Sequence, residues 1–303
     1  SGAATARTAF NEALQAYRAG DTTAAAGAMH RAAEAWPGQW VYTFNASALA
    51  ARVRDTTRAL HWLDRFAAQG LWSPTFATQG AFALLKGHPP FEALAERVRE
   101  NAKPMVRSQV ALTVADSMLY PEGIARDPAT GAVYLTSVRQ GIVLRVRDGG
   151  RVVDTLVPAS ATGGSTLGVA ADPARGALWV TVTALPRFEG HAAADSGRSW
   201  LLRFDLATGR ATGRWDVPGR ANHLGDVITG PDGTVYATDS RAPVVWTVRA
   251  GSASIDTPVT HPDFRSLQGL ALSPDGRALY LADYSHGLFR VDLATRQARW
   301  LAP

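Results

Sequence analysis

Cysteine is absent from the 303 residues, and with it go disulfides, thiolate nucleophiles and Cys-ligated zinc or iron–sulfur sites. Lysine occurs twice, at Lys86 and Lys103, so the net charge of +5 is carried by arginines scattered along the chain, many of them near aspartates. No basic cluster interleaves with aromatics, which removes nucleic acid from the expected partners. No apolar run approaches the roughly 20 residues of a membrane span. The Gly-x-Ser-x-Gly elbow, the His-Glu-x-x-His helix and the phosphate-binding Walker loop are all missing, and Gly163-Gly164-Ser165 is a lone small-residue loop. What remains is a folded chain, 46% hydrophobic, long enough for two domains. The small, Ala-rich start, Ser1 to Thr5, reads as a tag scar or the stub of a cleaved signal peptide; with no cysteine to object, a periplasmic or secreted location is the expectation and the cytoplasm stays open.

Two periodicities divide the chain near Lys103-Pro104, giving a helical region over 1–105 and a β region over 106–303. In the first, Phe10, Leu14 and Tyr17 recur at helical spacing, Gly20-Asp21 breaks the run, and Ala25, Met29, Ala32 and Ala33 begin a second helix that ends at Pro37. A second hairpin runs through Ala46 to Ala50, breaks near Arg54-Asp55, and continues with Ala59, Leu60, Leu63, Phe66 and Ala67 to Gly70. The Gly-Asp turn, the small Ala positions and the following Pro resemble tetratricopeptide repeats over about residues 6 to 72. Such helices either present a surface to a protein partner or brace the second region.

The second region repeats. Its strand cores, Val133-Tyr134-Leu135-Thr136-Ser137, Leu178-Trp179-Val180-Thr181-Val182, Val235-Tyr236-Ala237-Thr238-Asp239 and Leu279-Tyr280-Leu281-Ala282-Asp283, place aromatics 45, 57 and 44 residues apart. Turns such as Asp127-Pro128 to Gly131 and Pro274-Asp275-Gly276 precede each core, and a small apolar strand precedes each turn. Four strands per unit at this period predict a β-propeller with four visible blades. A further strand, Val110 to Ala115, is expected as an orphan outer strand, which implies part of a five- or six-bladed ring; a closed four-blade ring with that segment as a linker is the alternative.

In a propeller, the loops leading into each inner strand and those leaving each second strand share one face. That face collects Glu122, Asn222, Asp226 and Gln268 as candidate ligands of a hard divalent cation, calcium, magnesium or manganese. His223, Asp239 and Asp283 are the candidate catalytic groups, the two aspartates equally suited to bonding their own turns. Arg187, His191, Arg241, Tyr284 and His286 are candidate contacts to a small-molecule ligand, with the long loop Thr183 to Ser199 as a lid.

Three segments carry a resemblance: Pro121-Glu122-Gly123-Ile124-Ala125; Pro231-Asp232-Gly233 through Thr238-Asp239-Ser240; and Leu267-Gln268-Gly269 through Pro274-Asp275-Gly276. They resemble the regucalcin/gluconolactonase (SMP-30/LRE-like) family of six-bladed propellers over about residues 109 to 303. The resemblance implies a bacterial metal-dependent lactonase or esterase, with Glu122 at the family's metal-binding glutamate. Gln268 stands where the family has asparagine, and Gly225 or Asp226 lies nearest the family's aspartate. A metal would polarise the substrate carbonyl while a bound water attacks. A non-catalytic binding or scaffold protein is the alternative.

Overall fold

The computed structural model describes residues 2–73, 76 and 80–302. The chain separates into two compact units, the first running to Ser108 and the second spanning Gln109–Leu301.

The first unit is helical: α1 (Gly2–Arg18), α2 (Thr22–Ala35), α3 (Trp40–Arg52), α4 (Thr56–Ala68) and α5 (Pro89–Glu100). Both hairpins turn by the same device. Asp21 and Asp55 cap the second helix of each pair, accepting from the amides of Ala24 and Arg58. The residue before each cap takes a left-handed conformation, φ +82° at Gly20 and +63° at Arg54. The packed seam of α1 is Ala6, Ala9 and Ala13, which lets it approach Ala25, Ala28, Ala32 and Ala33 of α2. Phe10, Leu14 and Tyr17 therefore lie off that seam and line a cavity with Met29 and Arg52, whereas their spacing had suggested the packed face.

The second unit contains four antiparallel sheets, each in sequential strand order. The first is β1 (Pro121–Arg126), β2 (Val133–Ser137), β3 (Val143–Arg147) and β4 (Val152–Val157); the second is β5 (Ser165–Asp172), β6 (Ala177–Thr183), β7 (Ser199–Asp205) and β8 (Ala211–Asp216). The third is β9 (Leu224–Thr229), β10 (Val235–Asp239), β11 (Val244–Val248) and β12 (Asp256–Thr260); the fourth is β13 (Leu267–Leu272), β14 (Ala278–Asp283), β15 (Gly287–Asp292) and β16 (Ala298–Ala302). Four such sheets are compatible with a β-propeller. Residues 110–115, expected as a strand, form none; Leu112 and Val114 are half-buried there, and the segment runs extended without a ladder partner.

Successive sheets are joined by one repeated contact. Thr136 of β2 accepts from the Gly123 amide of its own inner strand and donates to the Leu167 carbonyl of the next sheet. Thr181 does the same between Gly168 and Gly225, and Thr238 between Asp226 and Gln268. Each inner strand also bulges at this point, around Glu122-Gly123, Leu167-Gly168, Gly225-Asp226 and Gln268-Gly269. Aromatics reinforce the order: Tyr134 packs on the second sheet, Trp179 on the third and Tyr236 on the fourth.

The series stops at the fourth sheet, where Ala282 stands in the threonine position and Tyr280 is 38% exposed. Inner strands β1 and β5, β5 and β9, and β9 and β13 pack together, but among the described residues β13 makes no comparable packing with β1. Ile124, 70% exposed on the first sheet, and Leu288 on the fourth mark the two uncovered end faces. Among the described residues the first and fourth sheets thus do not pack as the consecutive ones do, in the manner of an open arc.

Replacing Thr181 by Val leaves the Gly168 amide and Gly225 carbonyl without their buried partner and should cost about 2–4 kcal/mol. Gly123→Ala should be comparably disruptive, because a Cβ there would sit 2.2 Å from the Leu167 carbonyl oxygen. Chemical denaturation of both variants checks this; a Thr181→Val midpoint equal to the parent's would refute the bridge as a stabilising contact.

Candidate functional site

The bulges decide what reaches the arc's inner edge. In the first sheet the bulged pair is Glu122-Gly123, and the glycine is required because the next sheet's backbone passes so close. In the second it is Leu167-Gly168, with Leu167 buried and no polar group offered. In the third the order reverses to Gly225-Asp226, so a carboxylate occupies the position held by glycine elsewhere. The fourth offers Gln268 beside Gly269.

Glu122 and Asp226, 104 positions apart, are thereby brought into each other's field. Glu122 is open to water along one side, yet the protein around it strips solvation from its carboxylate and pushes its pKa up; the charge of Asp226 pushes in the same direction. Desolvation likewise raises Asp226, opposed by the Val227 amide that donates to its Oδ1 at 3.0 Å. For both groups the neutral form is favoured relative to a fully solvated carboxyl.

The other candidates are placed differently. Asp239 is buried and accepts from the amides of His223, Arg241 and Ala242 and from the Trp246 indole at 2.9–3.1 Å. Asp283 is buried and accepts from the amides of Arg265, Ser266, Ser285 and His286 at 2.7–2.9 Å. Each carboxylate is thus engaged by the loops it anchors, the turn-bonding arrangement expected as the other reading of the two. His286 is buried as well, its Nδ1 2.6 Å from the Asp263 carbonyl and its own carbonyl accepting from Trp300, so it is a packing residue and not a ligand contact. The Asn222 amide donates to the Pro218 carbonyl at 2.7 Å, and the Gln268 amide reaches Ser266 at 3.2 Å; neither bonds to Glu122 or Asp226.

His223 remains near the inner-strand heads, its pKa lowered by burial and by Arg241, with Asp239 opposing. Tyr284 is 81% exposed and Arg241 is exposed at the surface. In the long loop, Arg187 donates to the Tyr120 hydroxyl at 2.9 Å, Glu189 pairs with Arg139 at 2.8 Å, and His191 contacts Ser196. Arg220 grips the same loop at the Ala194 carbonyl. The segment is therefore strapped to the loops on either side of it, where its length alone had suggested a lid. Tyr120, two residues before Glu122, has φ +44° although it is not glycine, a strained setting next to the carboxylate that sequence reading passed over.

The metal centre implied by resemblance needs more donors than this. Among the described residues no three of His, Cys, Asp and Glu group together closely enough to hold an ion. The carboxylates and imidazoles alone do not make up that centre.

No family model and no curated protein matches the sequence. Similar solved structures include the hydrazine synthase of Kuenenia stuttgartiensis, 17% identical with TM-score 0.47 over 66% of this chain and 53% of its own. An inactive virginiamycin B lyase from Staphylococcus aureus, solved with quinupristin, is 14% identical with TM-score 0.49 over 63% and 58%. A gluconolactonase from Xanthomonas campestris is 24% identical with TM-score 0.43 over 60% and 62%. The chain thus spans 53% to 62% of the length of these three.

Because the folded state holds the Glu122 and Asp226 protons more tightly than the unfolded chain does, their stabilising contribution is complete below about pH 4 and is lost as pH rises through the raised folded values. Glu122→Gln should therefore melt like the parent in acid and above it at pH near 8. A variant less stable than the parent at the higher pH would contradict the shared field.

Proposed function

We propose that the propeller arc is a hydrolase of the lactone or ester class, working through the Glu122–Asp226 pair. The observation that carries this reading is the delivery of two carboxylates by different sheets to one open well, each raised by desolvation and Glu122 further by the charge of Asp226. At a pH between the pair's two apparent values, one group is ionised and the other protonated. The ionised carboxylate removes a proton from a water as its oxygen bonds to the carbonyl carbon, and the protonated carboxyl donates to the carbonyl oxygen. Collapse of the tetrahedral species returns that proton, breaks the ring C–O bond, and passes the water's proton to the departing alkoxide. The products are a hydroxy acid and the pair in its starting state.

The uncovered apolar end faces support taking the four sheets as blades of a larger ring, six in the family resembled. The helical hairpins, with their paired caps and Ala seams, support a tetratricopeptide-like reading. The cavity lined by Phe10, Leu14, Tyr17 and Arg52, about 430 Å³, is where a protein partner would meet them.

Hydrolysis of a panel of sugar and aliphatic lactones tests the reading. Glu122→Gln and Asp226→Asn should each lower kcat by roughly 10²–10⁴ with little change in KM, and the parent's rate should follow a bell-shaped pH profile. Asp239→Asn, which anchors a loop, serves as the comparison through its effect on stability. Hydrolysis that persists in both well variants would sink the proposal. Hydrolysis that requires added calcium or manganese, bound at Glu122, would replace it with the metal-dependent form.

A further inference from the structure

At the other end of the sheets, away from the inner-strand heads, a cavity of about 390 Å³ opens between the second and third sheets. Its walls include the indoles of Trp179 and Trp215, whose centroids are 5.0 Å apart at 38°. Trp215 is held in place by its Nε1, which donates to the Ser252 carbonyl at 3.1 Å. Three arginines face the same space, and they are not equivalent. Arg175 is spent on Asp172 and on the Pro231 carbonyl. The Arg203 guanidinium lies 6.0 Å from the Trp179 ring centre, and neither it nor Arg249 meets a carboxylate among the described residues.

Some arginines of these sheets meet acids: Arg145 and Arg147 share Asp154, and Arg198 and Arg214 both reach Asp216. Leaving two guanidinium groups without counter-charge beside two aromatic rings, in a concavity of ligand size, produces a site positive in charge and flat in its apolar surface. Guanidinium pairs with a carboxylate through two parallel hydrogen bonds, and an indole face accepts either an aromatic ring or the C–H face of a sugar ring.

We infer that the cavity between the second and third sheets binds a small ring-bearing carboxylate, its ring against the half-buried Trp215, which rests on the buried Trp179, and its anionic group paired with Arg203 and Arg249. Sugar acids and aromatic acids share this chemistry. The site is separate from the carboxylate well, whose charge would repel such a ligand.

Calorimetric titration of the full chain with glucuronate and with benzoate, against the neutral glucose and benzyl alcohol, tests this. At least one acid should bind below about 10 mM and at least tenfold more tightly than its neutral counterpart. Binding of glucuronate alone identifies a sugar-acid site, and binding of benzoate alone an aromatic-acid site. Arg249→Gln, at an exposed position where folding is not at stake, should weaken the bound acid about tenfold, and Arg203→Gln similarly. Glu122→Gln should bind it like the parent. The inference is overturned if neither acid binds, if the neutral compounds bind equally well, if Arg249→Gln leaves affinity unchanged, or if Glu122→Gln abolishes it.

Discussion

A single hydroxyl in each of the first three sheets sets the geometry of their junctions. The threonine near the end of the second strand accepts an amide hydrogen from its own inner strand and gives its proton to the carbonyl of the next. One side chain thereby satisfies backbone groups that the bulge has removed from the ladder, and it fixes the spacing between adjacent sheets at the level of the bulge. A valine of the same shape would keep the packing and lose the register. The bridge through Thr181 ends on the Gly225 carbonyl, the peptide immediately before Asp226. The bridge through Thr136 begins at the Gly123 amide, immediately after Glu122. The two carboxylates are thus positioned by consecutive links of one hydrogen-bonded chain.

That arrangement explains why a carboxylate is tolerated at Asp226. In the first two sheets the corresponding residue is glycine, and a Cβ would strike the neighbouring backbone at 2.2 Å at Gly123 and 2.6 Å at Gly168. In the third sheet the small residue shifts one place earlier, to Gly225, where an added Cβ would press on the Thr238 hydroxyl at 3.0 Å. The pair keeps one small member for close approach but exchanges its order, and the exchange moves a charged side chain into the well. A partly desolvated like-charge pair is costly, and a chain that needed only a stable sheet junction would have no use for it.

The propeller-like character of the second unit was legible because its signals are local. Pro and Gly at the turns and alternation along the strands each recur within a few residues, and the four sheets follow from them directly. Even the bridging threonine stands at a constant place in the aligned cores, Thr136, Thr181 and Thr238, with Ala282 breaking the series. The site was harder to read because spacing along the chain does not say how a carboxylate is occupied. Asp239 and Asp283 carry the same residue type as Asp226 and sit at one end of the sheets with it, but their oxygens are filled by loop amides at bond distance. His286 was similarly placed and turned out to be buried. In the first unit the error was of the same kind: helical periodicity identifies stripes, and close Ala contacts, rather than the larger side chains, chose which stripe was buried.

The well and the cavity between the second and third sheets divide the charge of this unit by position. At the strand heads, two acids share a well with no cation paired to either among the described residues, and desolvation raises the pKa of both. At the far end, two guanidinium groups stand beside aromatic rings with no acid to meet them. Both depend on the same junctions, since Thr181 and Trp179 lie two residues apart on β6 and hold the second sheet to the third. A change in that junction would therefore alter the acid pair and the cationic cavity together. The strand that links them is buried along its whole length, so the two ends are connected by packed backbone and not by a flexible loop.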